Sequence, residues 1–407
     1  MVPVGRTHVT SSCLDYEGLP KRMRDICRTE CQVIDLTTDE VAIEPTGSVR
    51  EGAIAALNAG TNHYTDFAGL TPLRSAIAEK LAAQTGVCWN TEEIIVTASA
   101  SQALCCATLA MLDPGDETII IRPYGPTFPF QVLLAGATPV FVDARRPRYV
   151  PDINAIRAAV TSRTKAIIIN SPNNPTGAVY DRTTLQKIGE LAISAGLWII
   201  SDERYSRFIF TRMRRHESII MAQPEARSRT IVVNAFSKEL GITGWHSGYF
   251  AAPAEIASAA RKLLTHATAS VTAEHAILHH HHFRDCSFER QLYQRIVDAR
   301  SAGLHVLSDL RDVAPPRADG SLFFYLDLSR LVSALPTEGH VQSGNDIARL
   351  LLDEAHVGCV SGGVFGDVSG LRISFGAPPE LLKAGLERIV KVLNSLRARQ
   401  AGWSPSP

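Results

Sequence analysis

Short apolar runs alternate with amphipathic stretches of helical length through most of this 407-residue chain, and most runs stop at a polar or turn-forming residue. The pattern predicts strands at 94–97, 118–121, 138–142, 166–170, 198–201, 230–234 and 248–251, with helices after most of them. Alternation of this kind belongs to an α/β protein with a mostly parallel central sheet. In open parallel sheets ligands gather at the carboxyl ends of the strands, so the residues just past those ends carry the chemical information.

Three such ends are informative together. Asn234-Ala-Phe-Ser-Lys-Glu-Leu-Gly-Ile-Thr-Gly-Trp-His-Ser-Gly-Tyr249 places Lys238 beside a serine and among closely spaced glycines. A lysine forms an imine with an aldehyde only when neutral, and a crowded, phosphate-bearing site lowers its pKa toward that condition. Upstream, Ala166-Ile-Ile-Ile-Asn-Ser-Pro-Asn-Asn-Pro-Thr-Gly177 is an apolar strand running into a rigid Pro/Gly turn that holds Asn174. Leu197-Trp-Ile-Ile-Ser-Asp-Glu-Arg-Tyr205 is another apolar strand, delivering Asp202 at its end and Tyr205 just beyond. The four side chains are expected to converge.

From about Val33 to Leu393 the chain resembles the fold type I pyridoxal-phosphate (PLP) enzymes of the class I/II aminotransferase family. The resemblance implies the PLP-dependent transferase fold, with a smaller α/β domain beside the main sheet. It also implies that Lys238 carries the cofactor as an imine, that Asp202 pairs with the protonated pyridine nitrogen, and that Asn174 and Tyr205 bond the ring oxygen. The residue types suit the chemistry. Removing a proton from an amino-acid Cα leaves a carbanion, for which a protonated pyridine ring is the electron sink. A neighbouring carboxylate keeps that nitrogen charged, and a lysine released from the cofactor is the natural base at Cα.

Phosphate binding is expected at Val96-Thr-Ala-Ser-Ala-Ser-Gln-Ala-Leu104, where a strand passes through small residues into a helix whose free amides and dipole favour an anion. By resemblance Ser99, Ala100 and Ser101 touch the phosphate with help from Ser237. Tyr64 resembles the family tyrosine that reaches the phosphate of the neighbouring subunit, which implies a homodimer with shared active sites. Arg372 resembles the arginine that holds the substrate α-carboxylate through two parallel charge-assisted bonds.

Four positions depart from the family pattern. Asp39 stands where a glycine near the substrate carboxylate is usual. Gly125 replaces the aromatic that stacks on the cofactor ring, leaving that face open or covered by Tyr124 or Phe128. Arg204 replaces a small residue on the other face, adding a permanent charge that could meet an extra anionic group of the substrate. His246 replaces an arginine that binds phosphate, which predicts a weaker or pH-dependent clamp.

With 45% hydrophobic and 20% charged residues and zero formal net charge, nothing points to nucleic acid or a membrane surface. No apolar run is long enough to span a bilayer and no apolar signal core precedes Cys13, so the expected compartment is the cytoplasm. The eight cysteines are scattered; neither Cys27 with Cys31 nor the pair Cys105 and Cys106 makes a metal set, and none is expected. The run His279 to His282 is expected at a helix end or loop, without a function. The organisation expected is an N-terminal arm over residues 1–47, a large PLP-binding domain over 48–294 and a C-terminal small domain over 295–407 that opens on a long helix. The leading functional expectation is an aminotransferase in specialised biosynthesis, moving an amino group from an L-amino acid to a 2-oxo acid. The alternatives are a lyase or synthase of the same fold acting at Cβ or Cγ, as on S-adenosylmethionine, and a non-catalytic PLP-binding regulator.

Overall fold

The computed structural model of the chain describes residues 23, 32–61, 63–212, 215–268, 271–282, 286–335 and 341–401. Cys13, Cys27, Cys31 and the 403–407 tail lie outside them. Twelve strands are found in this portion: β1 Ile34–Asp35, β2 Ile94–Thr97, β3 Glu117–Arg122, β4 Thr138–Asp143, β5 Thr164–Asn170, β6 Trp198–Asp202, β7 Thr230–Ala235, β8 Gly248–Ala251, β9 Phe323–Asp327, β10 Val357–Gly358, β11 Val360–Ser361 and β12 Gly370–Ser374. The seven strands expected from the apolar runs are β2 to β8, each within two residues of its predicted limits.

Those seven form one sheet in the order β2-β8-β7-β6-β5-β3-β4. Only β8 is antiparallel to its neighbours; the other pairings are parallel. Strand side chains alternate between faces, and on the interior strands β5, β6 and β7 both faces are buried. Ile167, Ile169, Ile199 and Val232 join one apolar cluster, packed by helices Thr71–Thr85 and Arg182–Ala195. Ala166, Ile168, Ile200, Ile231 and Val233 join a second, packed by helices Ala100–Met111 and Ala254–Ala267. Burial on both faces is why the strands read as unbroken runs of isoleucine and valine.

A third core joins Ile34, Leu36 and Val41 to Ile296, Phe323, Phe324, Ile347, Leu371 and Ile389. Its strands are the antiparallel set β11-β12-β9 and the parallel pair β1-β10. The N-terminal segment is thereby tied to the far end of the chain, and Ala42 N–H adds a bond to Gly376 O at 2.8 Å. Tyr205 and Phe208 also enter this core, so the chain just past β6 bridges the large sheet and the smaller one. The long helix runs Cys286–Leu307, starting ahead of the expected boundary at 294. The histidine run closes helix Glu274–His282, where His279 Nδ1 lies 3.0 Å from Ser48 O and His280 Nδ1 lies 2.7 Å from Ser48 Oγ. These contacts hold the helix against Gly47–Asn58.

Candidate active site

The sheet register brings Thr97, Gly248, Ala235, Asp202 and Asn170 to one edge, where β2, β7, β6 and β5 end and the antiparallel β8 begins. Asp202 is 1% exposed. Asn170, opposite it in register, donates from Nδ2 to Asp202 O at 2.9 Å and accepts the Asn174 amide at 2.7 Å. One buried amide side chain thus fixes the loop carrying Asn174 against the end of β6. The residue after Asp202 turns into a separate network: Glu203 accepts from Ser201 Oγ at 2.8 Å and Ser218 Oγ at 2.7 Å, and meets His216 Nε2 at 2.9 Å.

Lys238 follows β7 by three residues and reaches the N-terminal segment. Its Nζ lies 3.1 Å from Asp39 Oδ2 and also donates to Asp39 O. Tyr205 donates its hydroxyl to the same Asp39 Oδ2 at 2.7 Å. Burial first, and the Asp39 carboxylate second, push the Tyr205 phenol well above its usual range, so it stays a donor. Arg372, on β12, donates to Asn174 Oδ1 at 3.0 Å and to Thr37 O at 2.6 Å. Its guanidinium carbon sits 4.3 Å from the Phe323 ring centroid and 5.1 Å from that of Phe365, so aromatic faces hold a cation that is 2% exposed.

Ser99 caps helix Ala100–Met111 with φ 97°, its Oγ accepting from Gln102 N at 3.3 Å. The amides of Ala100 and Ser101 open the helix and have no carbonyl four residues back within it. Gly248 packs so closely here that a Cβ would lie 2.5 Å from Ala100 N and 2.6 Å from Ser99 C. Ser237 is nearly buried and donates to Ser247 O at 3.3 Å.

The expected residues do not all behave alike. Lys238 and Tyr205 meet at Asp39, Arg372 meets Asn174, and Asn170 bridges the Asp202 carbonyl to the Asn174 amide. Arg204 turns inward, its Nε 3.0 Å from both Asp202 oxygens and its Nη2 2.8 Å from Oδ2, so the anion it meets is the protein's own. The space beside Gly125 is taken by Phe128, whose ring lies 2.9 Å from where a Gly125 Cβ would be; Tyr124 instead stacks on Phe141 at 5.2 Å. His246 is exposed at φ 48°. Tyr64 is 87% exposed and stands outside the cluster of its own chain. Thr37, Asn170 and Gly248 were missed by sequence reasoning; Asn170 alone had a signal, a polar residue ending an apolar run.

The arrangement fits PLP. A buried carboxylate, a lysine amine and amide and phenol donors share one strand edge with a helix N-terminus cradled by a glycine. Asp39 Oδ1 and Arg372 Nε are buried atoms there without a partner among the described residues. The fold and the site define a PLP-dependent enzyme of fold type I. The sequence model of the family described as aminotransferase class I and II matches residues 32–389. A probable aspartate/prephenate aminotransferase of Aquifex aeolicus is 33% identical over 370 residues, covering 89% of this chain and 92% of its own. An aspartate aminotransferase of Geobacillus stearothermophilus is 32% identical over 385 residues, 93% and 95% respectively. Among solved structures, Thermus thermophilus aspartate aminotransferase with maleate superposes with TM-score 0.84 at 31% identity, covering 92% of this chain and 95% of its own. The aspartate aminotransferase of Rhizobium meliloti gives 0.88 at 26% identity, covering 95% and 98%. The chain belongs to the class I and II aminotransferases. It is a PLP-dependent aminotransferase, and the lyase and regulator readings find no support in these relatives. Among the described residues no helix is long and apolar enough to cross a membrane.

Proposed function

We propose that the chain transfers an amino group between an L-amino acid and a 2-oxo acid in specialised biosynthesis, in a cytoplasmic homodimer with shared sites. The observation that carries the reading is the gathering of Lys238, Asp202, Tyr205, Asn174 and Arg372 beside the carboxyl edge of the large sheet, from four separate segments. PLP, when bound, supplies the electron sink that makes the Cα proton removable. The residues do the rest. Arg372, steadied by Asn174 and Thr37, holds the α-carboxylate and so orients the Cα–H bond. Lys238 would hold the cofactor through its amine, and that amine, when free, would be the base that takes the proton from the substrate Cα. Asp202 holds the pyridine N–H, Asn174 and Tyr205 bond the ring oxygen, and Ser99, Ala100, Ser101 and Ser237 take the phosphate. Tyr64, exposed in the single chain, serves the partner's phosphate.

Support for a specialised substrate comes from Asp39, the departure that meets Lys238 directly. It sets a carboxylate against Lys238, which disfavours a second carboxylate on the substrate near that point and favours a hydroxyl or amine donor. The test is borohydride reduction of the PLP-loaded native chain and of Lys238→Ala, followed by peptide mass analysis and an amino-acid panel assay. The native chain should carry the reduced label on Lys238 and the variant none, with turnover lost. A label on any other lysine overturns the assignment, and a preference for aspartate overturns the specialised substrate.

A further inference from the structure

The Asp202–Arg204 contact is a built ion pair. Arg204 donates its Nε to both carboxylate oxygens at 3.0 Å, its Nη2 to Oδ2 at 2.8 Å and its backbone N–H to Oδ1 at 3.3 Å. The Asp202 side chain is 2% exposed and that of Arg204 16%, so water screens the pair little. An ionised carboxylate offers about four lone-pair sites, and this fork engages both oxygens at once. The neighbours hold the geometry: Asn170 fixes the Asp202 carbonyl, and Glu203, between the partners, is locked by Ser201, Ser218 and His216.

We propose that Arg204 is the resident counter-ion of Asp202 and gates the cofactor, so that PLP is taken up by opening this fork and then sharing the carboxylate with the guanidinium. The inference rests on the PLP reading of the site. In the cofactor-free chain the guanidinium neutralises a carboxylate that would otherwise be buried and unpaired. When the pyridine ring arrives, its N–H takes a share of a carboxylate already engaged by a permanent cation. Two consequences follow from the charge alone. Opening the fork slows cofactor capture, and the shared carboxylate holds the pyridine proton less firmly than an undivided one. Arg204 is thus a positioning residue that sets how strongly Asp202 can support the cofactor's ring charge.

The experiment uses cofactor-free native chain, Arg204→Ala and Arg204→Lys. PLP uptake is followed by stopped-flow absorbance, and protonation of the bound pyridine by the nitrogen NMR shift of 15N-labelled PLP against pH. Removing a charge-assisted competitor should speed and tighten uptake on the order of ten- to a hundredfold. The pyridine nitrogen should also keep its proton to higher pH. Arg204→Lys, which keeps the charge and loses the fork, should fall between and carries the test should the alanine chain fail to fold without cofactor. A merely structural Arg204 would lower the melting temperature of the variants and leave both the uptake rate and the nitrogen titration where they are. That result, or slower uptake by both variants, overturns the gating role while leaving the PLP reading intact. PLP uptake by none of the three chains overturns the cofactor reading and this inference with it.

Discussion

Glu274 opens helix Glu274–His282 and is 1% exposed. Its Oε2 accepts from Thr65 Oγ1 at 2.9 Å and its Oε1 from Leu70 N at 3.2 Å, fastening the loop that carries Tyr64. Burial pushes its carboxyl from the usual 4.5 up to about 7, Asp66 adding to the rise and Thr65, Leu70 and Arg74 opposing it. At ~1.4 kcal/mol for each pH unit between the two values, ionising Glu274 costs the folded chain about 3 kcal/mol. Below pH about 4.5 both states hold the proton. Between 4.5 and 7 the folded chain keeps a proton the unfolded chain has released, so stability falls as pH rises, and this contribution is gone above 7. Glu274→Gln stays neutral throughout, its amide oxygen able to accept from Leu70 and its amide nitrogen able to donate to Thr65. Urea unfolding of both chains should give nearly equal stabilities at about pH 5 and a variant up to about 3 kcal/mol more stable at about pH 8. Parallel pH curves for the two chains would refute the reasoning, because the native slope would then come from another group.

Gly248→Ala forces backbone apart at Ser99 and Ala100, where neither β8 nor the helix can yield cheaply; a loss of about 1 to 3 kcal/mol in urea unfolding is expected. The same change should weaken binding of PLP while leaving that of phosphate-free pyridoxal unaltered, as titration of the cofactor-free chain would show. Arg372→Lys replaces the fork that reaches Asn174 and Thr37 by a point charge. We expect KM for the amino acid to rise on the order of ten- to a hundredfold in steady-state assays, with PLP affinity little changed.

The central sheet was legible because its strands are buried on both faces, which writes them as runs such as Ile167-Ile-Ile169 and Ile231-Val-Val233. The edge proposed as the active site reads from the sequence for a related reason: parallel strands deliver Asn174, Asp202 and Lys238 within a few residues of their ends, so short local motifs place them there. What local motifs cannot carry is contact across the chain. Asp39 meets Lys238 across 199 positions and Thr37 meets Arg372 across 335, placed by the pairing of β1 with β10, two residues each. Nor does sequence say where a long side chain turns. Arg204 reads equally as a solvent-facing charge, a substrate ligand or a ring-stacking group, and the structure gives it to Asp202. Gly125 reads as a face left open or covered by Tyr124 or Phe128, and the structure puts Phe128, three residues on, in the space beside it.

The departures are therefore not scattered drift, because two of them make opposite kinds of ion pair in one site. Asp39 sets its carboxylate 3.1 Å from the Lys238 amine and accepts the Tyr205 hydroxyl, while Arg204 sets its guanidinium 2.8 Å from Asp202 Oδ2. Three cofactor-facing groups are thus partnered by the chain itself. A buried charge without a partner is costly, and this pairing supplies one from the chain itself. The same pairing is a competitor once PLP arrives, since a hydroxyl has one proton to donate and a carboxylate a limited number of lone pairs. Asn174 is placed differently: its carbonyl accepts from Arg372, and in the proposed reading its amide hydrogens serve the cofactor. In the proposed reading the pairing weakens cofactor support at Asp202 and Tyr205, and leaves orientation of the substrate, through Arg372 and Asn174, untouched.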